Sequence, residues 1–161
     1  MAAEQQYIDL YSQCEALVNR HASEVLNAPR KKALADFIAN GFPKANSEDY
    51  KYTDVDKAFA PDFGLNINRL DIPVNPYDVF RCDVPNLSTC LYFVVNDSFY
   101  DRVKPDVQLP EGVYAGGLLN FTKEYPDLEA RYYAKAAPPE NDGIIASNTL
   151  LEQHGIVLNV P

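Results

Sequence analysis

The chain has 161 residues, 47% of them apolar, and a formal net charge of −9. That length is one domain's worth, and the apolar share can fill a core, which excludes wholesale disorder. The acidic residues are spread along the chain, which excludes the basic patches that nucleic acid and anionic membrane surfaces need and leaves a basic protein partner open.

No stretch approaches the roughly 18 apolar residues that a membrane span requires. The opening "MAAEQQYIDL" lacks the basic-then-apolar order of an export signal, so the expected location is cytoplasmic. Cys14, Cys82 and Cys90 share no metal-ligand spacing and read as reduced thiols. Without export, the Asn-x-Ser/Thr sequons at Asn86, Asn96 and Asn120 are chance matches.

Taken in order, residues 4–22 place Tyr7, Leu10, Tyr11, Cys14, Leu17, Val18 and His21 on one stripe of a helix. Asn27 serves as N-cap of a second helix with Pro29 in its first turn and a buried face of Ala33, Leu34, Phe37 and Ile38. Gly41 follows as a left-handed C′ residue, and Pro43 blocks continuation. The two helices are expected to pack as a hairpin. Tyr50 and Tyr52 alternate with Lys51, so an extended backbone turns both rings to one side. Thr53 then caps a short helix with Asp54 and Asp56 in its first turn, stopped by Pro61.

Residues 61–87 are rich in Pro, Asn and Asp and read as irregular with short strands. Residues 89–95 and 98–103 form a β-hairpin about an Asn96-Asp97 turn, and another strand lies near 113–115. A short helix follows Pro126, "AAPPENDG" is a loop, and "IIASNTLLEQHG" is a helix closed by Gly155, with His154 in its last turn. The closing "IVLNVP" is an apolar strand, which either pairs inside the domain or continues into further chain; the second is favoured. The expectation is one compact α+β domain. Residues 1–60 hold the helical hairpin, the aromatic motif and the short helix, and 61–161 hold a small α+β region.

Chemistry is sparse. The two histidines, His21 and His154, lie far apart and supply no local ligand set, and glycine-rich phosphate cradles are absent. Asp54 and Asp56 could hold a divalent cation in a small carboxylate enzyme, in which case Asp54→Asn abolishes metal affinity; capping accounts for them with no further ligands. A third reading is a stand-alone module whose acidic face meets a basic partner.

"GFPKANSEDYKYTDV" resembles the G-[FL]-P…E-x-W-K-Y-T segment of the SufB/SufD family of iron–sulfur cluster assembly proteins, in its SufD branch. Gly41, Phe42, Pro43, Glu48, Lys51, Tyr52 and Thr53 match; Tyr50 stands where the family commonly has Trp. "LYFVVNDSFY", "LPEGVYAGGL" and "SNTLLEQHGIVLNVP" follow in the family's order, extending the resemblance over roughly residues 28–161. It implies the N-terminal region of a non-catalytic scaffold subunit. By the same resemblance the intact protein would continue past residue 161 into a β-helix, whose first strand is the closing one here and which would pair with SufB, and a C-terminal segment that would bind SufC. Cluster-related residues lie in that β-helix, so no catalytic, cofactor or metal residue is assigned to this chain, and the iron–sulfur cluster belongs to the full complex. The motif residues are given structural roles, with Tyr50 and Tyr52 anchoring the extended run and Tyr52→Ala expected to cost roughly 3 kcal/mol.

Overall fold

A computed structural model describes residues 3–20, 22–65, 67–70, 73–80, 91–96, 98–102 and 108–161. His21, Cys82, Asn86, Cys90 and Asp97, with the hairpin ends at 89–90 and 103, lie outside the described residues. The architecture is α+β: helices first, then two small antiparallel sheets interleaved with helices. Among the described residues no helix is long and apolar enough to cross a membrane.

Helix α1 (Ala3–Arg20) buries Tyr7, Tyr11 and Val18, with Leu10, Cys14 and Leu17 packed at the edge of the same core. The stripe expected from spacing is therefore the one used. The next turn differs. Ser23, not Asn27, is an N-cap, accepting from the Leu26 amide at 3.1 Å and starting the one-turn helix α2 (Glu24–Asn27). Asn27 ends α2 and bonds by its side chain to the Asn19 carbonyl and the Arg30 guanidinium. Helix α3 (Arg30–Asn40) then starts from Pro29, which has helical φ and ψ and no capping side chain. Two cap-capable residues stand four apart, and the earlier one has the free donors of a helix start to bind.

On α3, Ala33 and Phe37 are fully buried and Leu34 partly, whereas Ile38 is 59% exposed, against expectation. The fourth buried position belongs instead to Arg30. α3 does touch α1, but its most extensive packing is against the later helix α8 (Gly143–Leu151), so the hairpin is opened by a third helix. α8 buries Gly143, Ala146, Ser147, Thr149 and Leu150, which exceeds one stripe because it is packed on several sides.

Between α3 and α8 the chain wraps the core's margin. Helix α4 (Val55–Phe59) stops before Pro61, and its Phe59 carbonyl accepts from Gln6 Nε2 and the Tyr7 hydroxyl on α1. The irregular region carries a short helix α5 (Pro76–Val79), capped by Asn75 with Pro76 at its first position; no strand occurs among its described residues. The hairpin is present but short: β1 (Val94–Val95) pairs with β2 (Ser98–Phe99), and Asn96 takes the positive φ, 57°, that such a turn asks of it.

Strand β3 (Tyr114–Gly117) runs directly into helix α6 (Leu118–Glu124), which the sequence reading missed, and Pro126 opens α7 (Pro126–Tyr132) as expected. The "AAPPENDG" loop contains one 3-10 turn, Pro139–Asn141. α8 ends at Leu151 rather than at Gly155, so His154 lies past the helix. The closing strand β4 (Ile156–Asn159) pairs antiparallel with β3, Ala115 opposite Leu158 and Gly117 opposite Ile156. The strand therefore has a partner inside the domain, with Ile156, Leu158 and Val160 exposed along one side.

Candidate functional site

The motif of residues 41–53 builds a junction between the end of α3 and the start of α8. Phe42 is its core member: the ring lies 5.7 Å from Tyr7, 5.1 Å from Phe37 and 4.8 Å from Phe59, centroid to centroid. One aromatic thus ties α1, α3 and α4 together by edge and tilted contacts of the kind aromatic pairs favour. Gly41 stops α3 with φ 61° and ψ −167°, and its amide donates to the Phe37 carbonyl at 2.8 Å. This is not the left-handed helical conformation expected of a C′ residue; it is a region that essentially only glycine enters. A Cβ on Gly143 would overlap the Gly41 carbonyl oxygen, so the two glycines allow backbone to meet backbone where α8 begins.

The extended run did not materialise. Amide-to-carbonyl bonds from Ser47 to Lys44, Tyr50 to Ser47 and Thr53 to Tyr50, at 2.9, 3.2 and 2.9 Å, wind residues 44–53 into successive turns. Period-two alternation therefore loses its meaning, and the two tyrosines part company. Tyr50 is half-buried, and its hydroxyl donates to Asp142 Oδ2 at 2.7 Å; that bond, the main cause, and burial both raise its pKa. Asp142 in turn is the N-cap of α8, accepting from the amides of Ile144 at 2.6 Å and Ile145 at 3.3 Å.

Tyr52 is 92% exposed, with the Lys51 ammonium 5.5 Å from its ring centroid. The anchoring role assigned to it is overturned. Tyr52→Ala is now expected to change stability by no more than about 0.5 kcal/mol, as for an exposed side chain. Tyr50→Phe, by contrast, deletes a hydrogen bond to a carboxylate and is expected to cost about 1.5 kcal/mol. Chemical denaturation of the two variants in parallel checks both values, and a larger loss at Tyr52 than at Tyr50 would contradict the division. Glu48, Lys51 and Thr53 are exposed as well, and Pro43 is half-buried. The motif therefore has an inward part, Gly41, Phe42 and Tyr50, and an outward part, Glu48, Lys51, Tyr52 and Thr53.

Thr53 is not the cap of α4. Asp54 is, accepting from the Lys57 amide at 3.0 Å, one position later than expected because both side chains carry cap chemistry. Asp56 Oδ1 accepts from the Ala3 amide at 3.1 Å and fastens the start of α1. The two aspartates raised as a cation pair thus each have a backbone donor. No cluster of three or more His, Cys, Asp or Glu placed to hold a metal occurs among the described residues.

A cavity of about 350 Å³ lies beside the junction, walled by Tyr7, Phe42, Phe59, Ile67 and Leu151, with Glu152 and His154 at its α8 end. Three of its polar groups are engaged: Ser147 Oγ donates to the Ile144 carbonyl at 2.8 Å, Glu152 Oε2 accepts from the Tyr133 hydroxyl at 3.0 Å, and His154 Nδ1 accepts from the Gly155 amide at 2.8 Å. Gln153 Oε1, also in the lining, is buried with no hydrogen-bond partner among the described residues. Burial raises the carboxyl pKa of Glu152, while Tyr133 and Arg30 pull it back.

The residue that sequence reasoning missed altogether is Arg30, 1% exposed at the start of α3. Its Nη1 donates to the carbonyls of Leu150 at 2.7 Å and Thr149 at 3.3 Å, its Nη2 to that of Glu152, and its Nε to Asn27 Oδ1 at 3.0 Å. A guanidinium thus closes the C-terminal end of α8, where orphan carbonyls and the negative end of the helix dipole call for a cation. Asp142 at one end and Arg30 at the other fix α8, and through residues 152–155 they fix where β4 starts.

No curated protein and no solved structure matches the chain. The family model described as the SufBD protein N-terminal region matches it over residues 1–161. That is the whole length, including the junction motif, the α8 clamp and β4, and the chain accordingly belongs to the SufBD N-terminal-region family of iron–sulfur cluster assembly proteins.

Proposed function

We propose that this chain is the N-terminal domain of a SufD-like scaffold subunit of the cytoplasmic Suf machinery, acting through structure and protein contact with no reaction of its own. The observation that carries this reading is the division of the 41–53 motif. Its inward part is occupied with setting the start of α8, which supports a structural task. Its outward part leaves the side chains of Glu48, Lys51, Tyr52 and Thr53 in solvent, which supports a contact surface. SufB and SufC are the proposed partners, chiefly through chain beyond residue 161, and the iron–sulfur cluster is cargo of the assembled complex.

Co-expression with SufB and SufC, followed by affinity purification on the protein that carries this domain, tests the reading. A complex containing all three chains is the expected result. Recovery with SufC only when a SufD, and not a SufB, is supplied would place the protein in the SufB branch. Recovery of neither partner would end the scaffold proposal.

A further inference from the structure

Helix α7 is tied to the helical body at two points, and each tie is made through a carboxyl group. Glu129, on α7, is 3% exposed, and its Oε1 accepts from the Ser23 hydroxyl at 2.7 Å. Ser23 Oγ already accepts from the Leu26 amide at 3.1 Å as the cap of α2, so its single hydroxyl hydrogen is committed to Glu129. At the far end of α7 the Tyr133 hydroxyl donates to Glu152 Oε2 at 3.0 Å. Among the described residues, the titratable and charged groups acting on this set are Arg30 of α3, Tyr11 of α1, Tyr133 and the two carboxyls themselves. Their effects are unequal. Burial raises the pKa of both carboxyls; at Glu152 it is offset by Tyr133 and the Arg30 cation, at Glu129 by the Ser23 hydroxyl alone.

We propose that α7 is a proton-governed latch, closed on α2 while Glu129 is protonated and loosened when Glu129 releases its proton to water, with the Tyr133–Glu152 bond as a pivot that stays made. A carboxylate so little exposed, with one hydroxyl to solvate it, is better accommodated in water, and α7 must move for water to reach it. Burial accordingly raises the Glu129 pKa above the usual 4.5, against the smaller lowering by Ser23. The sign follows from linkage. Because the closed-state pKa is the higher one, closure is fully favoured below the ordinary carboxyl range and weakens as pH rises through the raised value. Tyr132, Tyr133, Ala134, Ala136 and Ala137, at and just past the end of α7, form one side of a hollow of about 450 Å³ whose other side includes Ile144, Ile145 and Thr149 of α8. Opening of α7 widens that hollow.

Amide hydrogen exchange on the 161-residue chain from about pH 4 to about pH 7 tests the latch. The reporter is the Leu26 amide, which donates at 3.1 Å to the same Ser23 Oγ that Glu129 holds. After correction for intrinsic exchange chemistry, its protection is expected to fall by at most about tenfold per pH unit as pH rises from the ordinary carboxyl value to the raised Glu129 value, and to level off above it. In Glu129→Gln it is expected to be flat and high, and in Glu152→Gln it is expected to keep its pH dependence. Protection independent of pH in the unmodified chain, a titration that persists in Glu129→Gln, or one lost in Glu152→Gln would each overturn the proposal. Should Glu129→Gln fail to fold, the carboxyl-carbon NMR titration of Glu129 in the unmodified chain decides: a midpoint above 4.5 supports the latch and one at or below it does not.

Discussion

Replacing Arg30 by alanine is expected to destabilise the domain by about 3–5 kcal/mol, the range for removing one member of a buried charged network. Three carbonyls at the end of α8, those of Thr149, Leu150 and Glu152, lose their donor at once. Each buried orphan costs roughly 1–3 kcal/mol, and the volume of the side chain is left as a void that α1 and α8 close only in part. The Glu152 carboxyl, whose raised pKa Arg30 holds down, also loses its nearby cation. Arg30→Met separates these effects, since it fills most of the volume and restores none of the hydrogen bonds. Arg30→Lys keeps the charge and loses the planar fork that reaches several carbonyls together. The expected order of stability is therefore Arg, then Lys, then Met, then Ala, read as denaturant midpoints at constant m value. An Arg30→Ala domain within about 1 kcal/mol of the parent would mean that water replaces the guanidinium and that α8 is closed some other way.

That clamp also marks the limit of what the sequence could disclose. Where an element is made by its own residues, its pattern was readable: the α1 stripe, the Asn96 turn and the Pro126 start all depend on neighbours a few positions away. The helix α8 was readable as a helix but not at its end, because what terminates it is Arg30, some 120 residues earlier in the chain. Arginine is ordinarily a surface residue, so nothing local marks this one as buried. The same reason hid α6. "LLNFTKE" carries three residues of middling helix propensity, and it is Leu118, Phe121 and Thr122 packing inward, with the Leu118 amide on the Gly155 carbonyl at 2.8 Å, that makes it helical. Tyr50 and Tyr52 were misread for a different cause. Alternation implies two faces only if the backbone is extended, and turn hydrogen bonds at three-residue spacing prevailed. The division of residues 41–53 into buried and exposed halves needed the fold.

Gly143→Ala sets two physical effects against each other with opposite signs. Gly143 is the first residue of α8, and by helix propensity alone alanine there would stabilise the helix by up to about 1 kcal/mol. The added Cβ, however, falls on the carbonyl oxygen of Gly41, a backbone atom held by the end of α3 and by the buried ring of Phe42. Backbone cannot rotate aside as a side chain can, so α8 or the junction must shift, and we expect a net loss of about 3 kcal/mol or more. The shift would draw Asp142 from Tyr50 and move the α8 end of the Arg30 clamp, so the damage should reach β4 as well. Gly155→Ala is the control, since its nearest neighbours would sit at 3.4 and 3.5 Å, ordinary contact, and its φ is not positive. That variant is expected to stay within about 0.5 kcal/mol of the parent or to gain slightly by restricting the unfolded chain. Thermal melts of both decide the matter. A Gly143→Ala domain as stable as Gly155→Ala would show that α3 and α8 do not meet backbone to backbone, and the structural role given to Gly41 would fall with that contact.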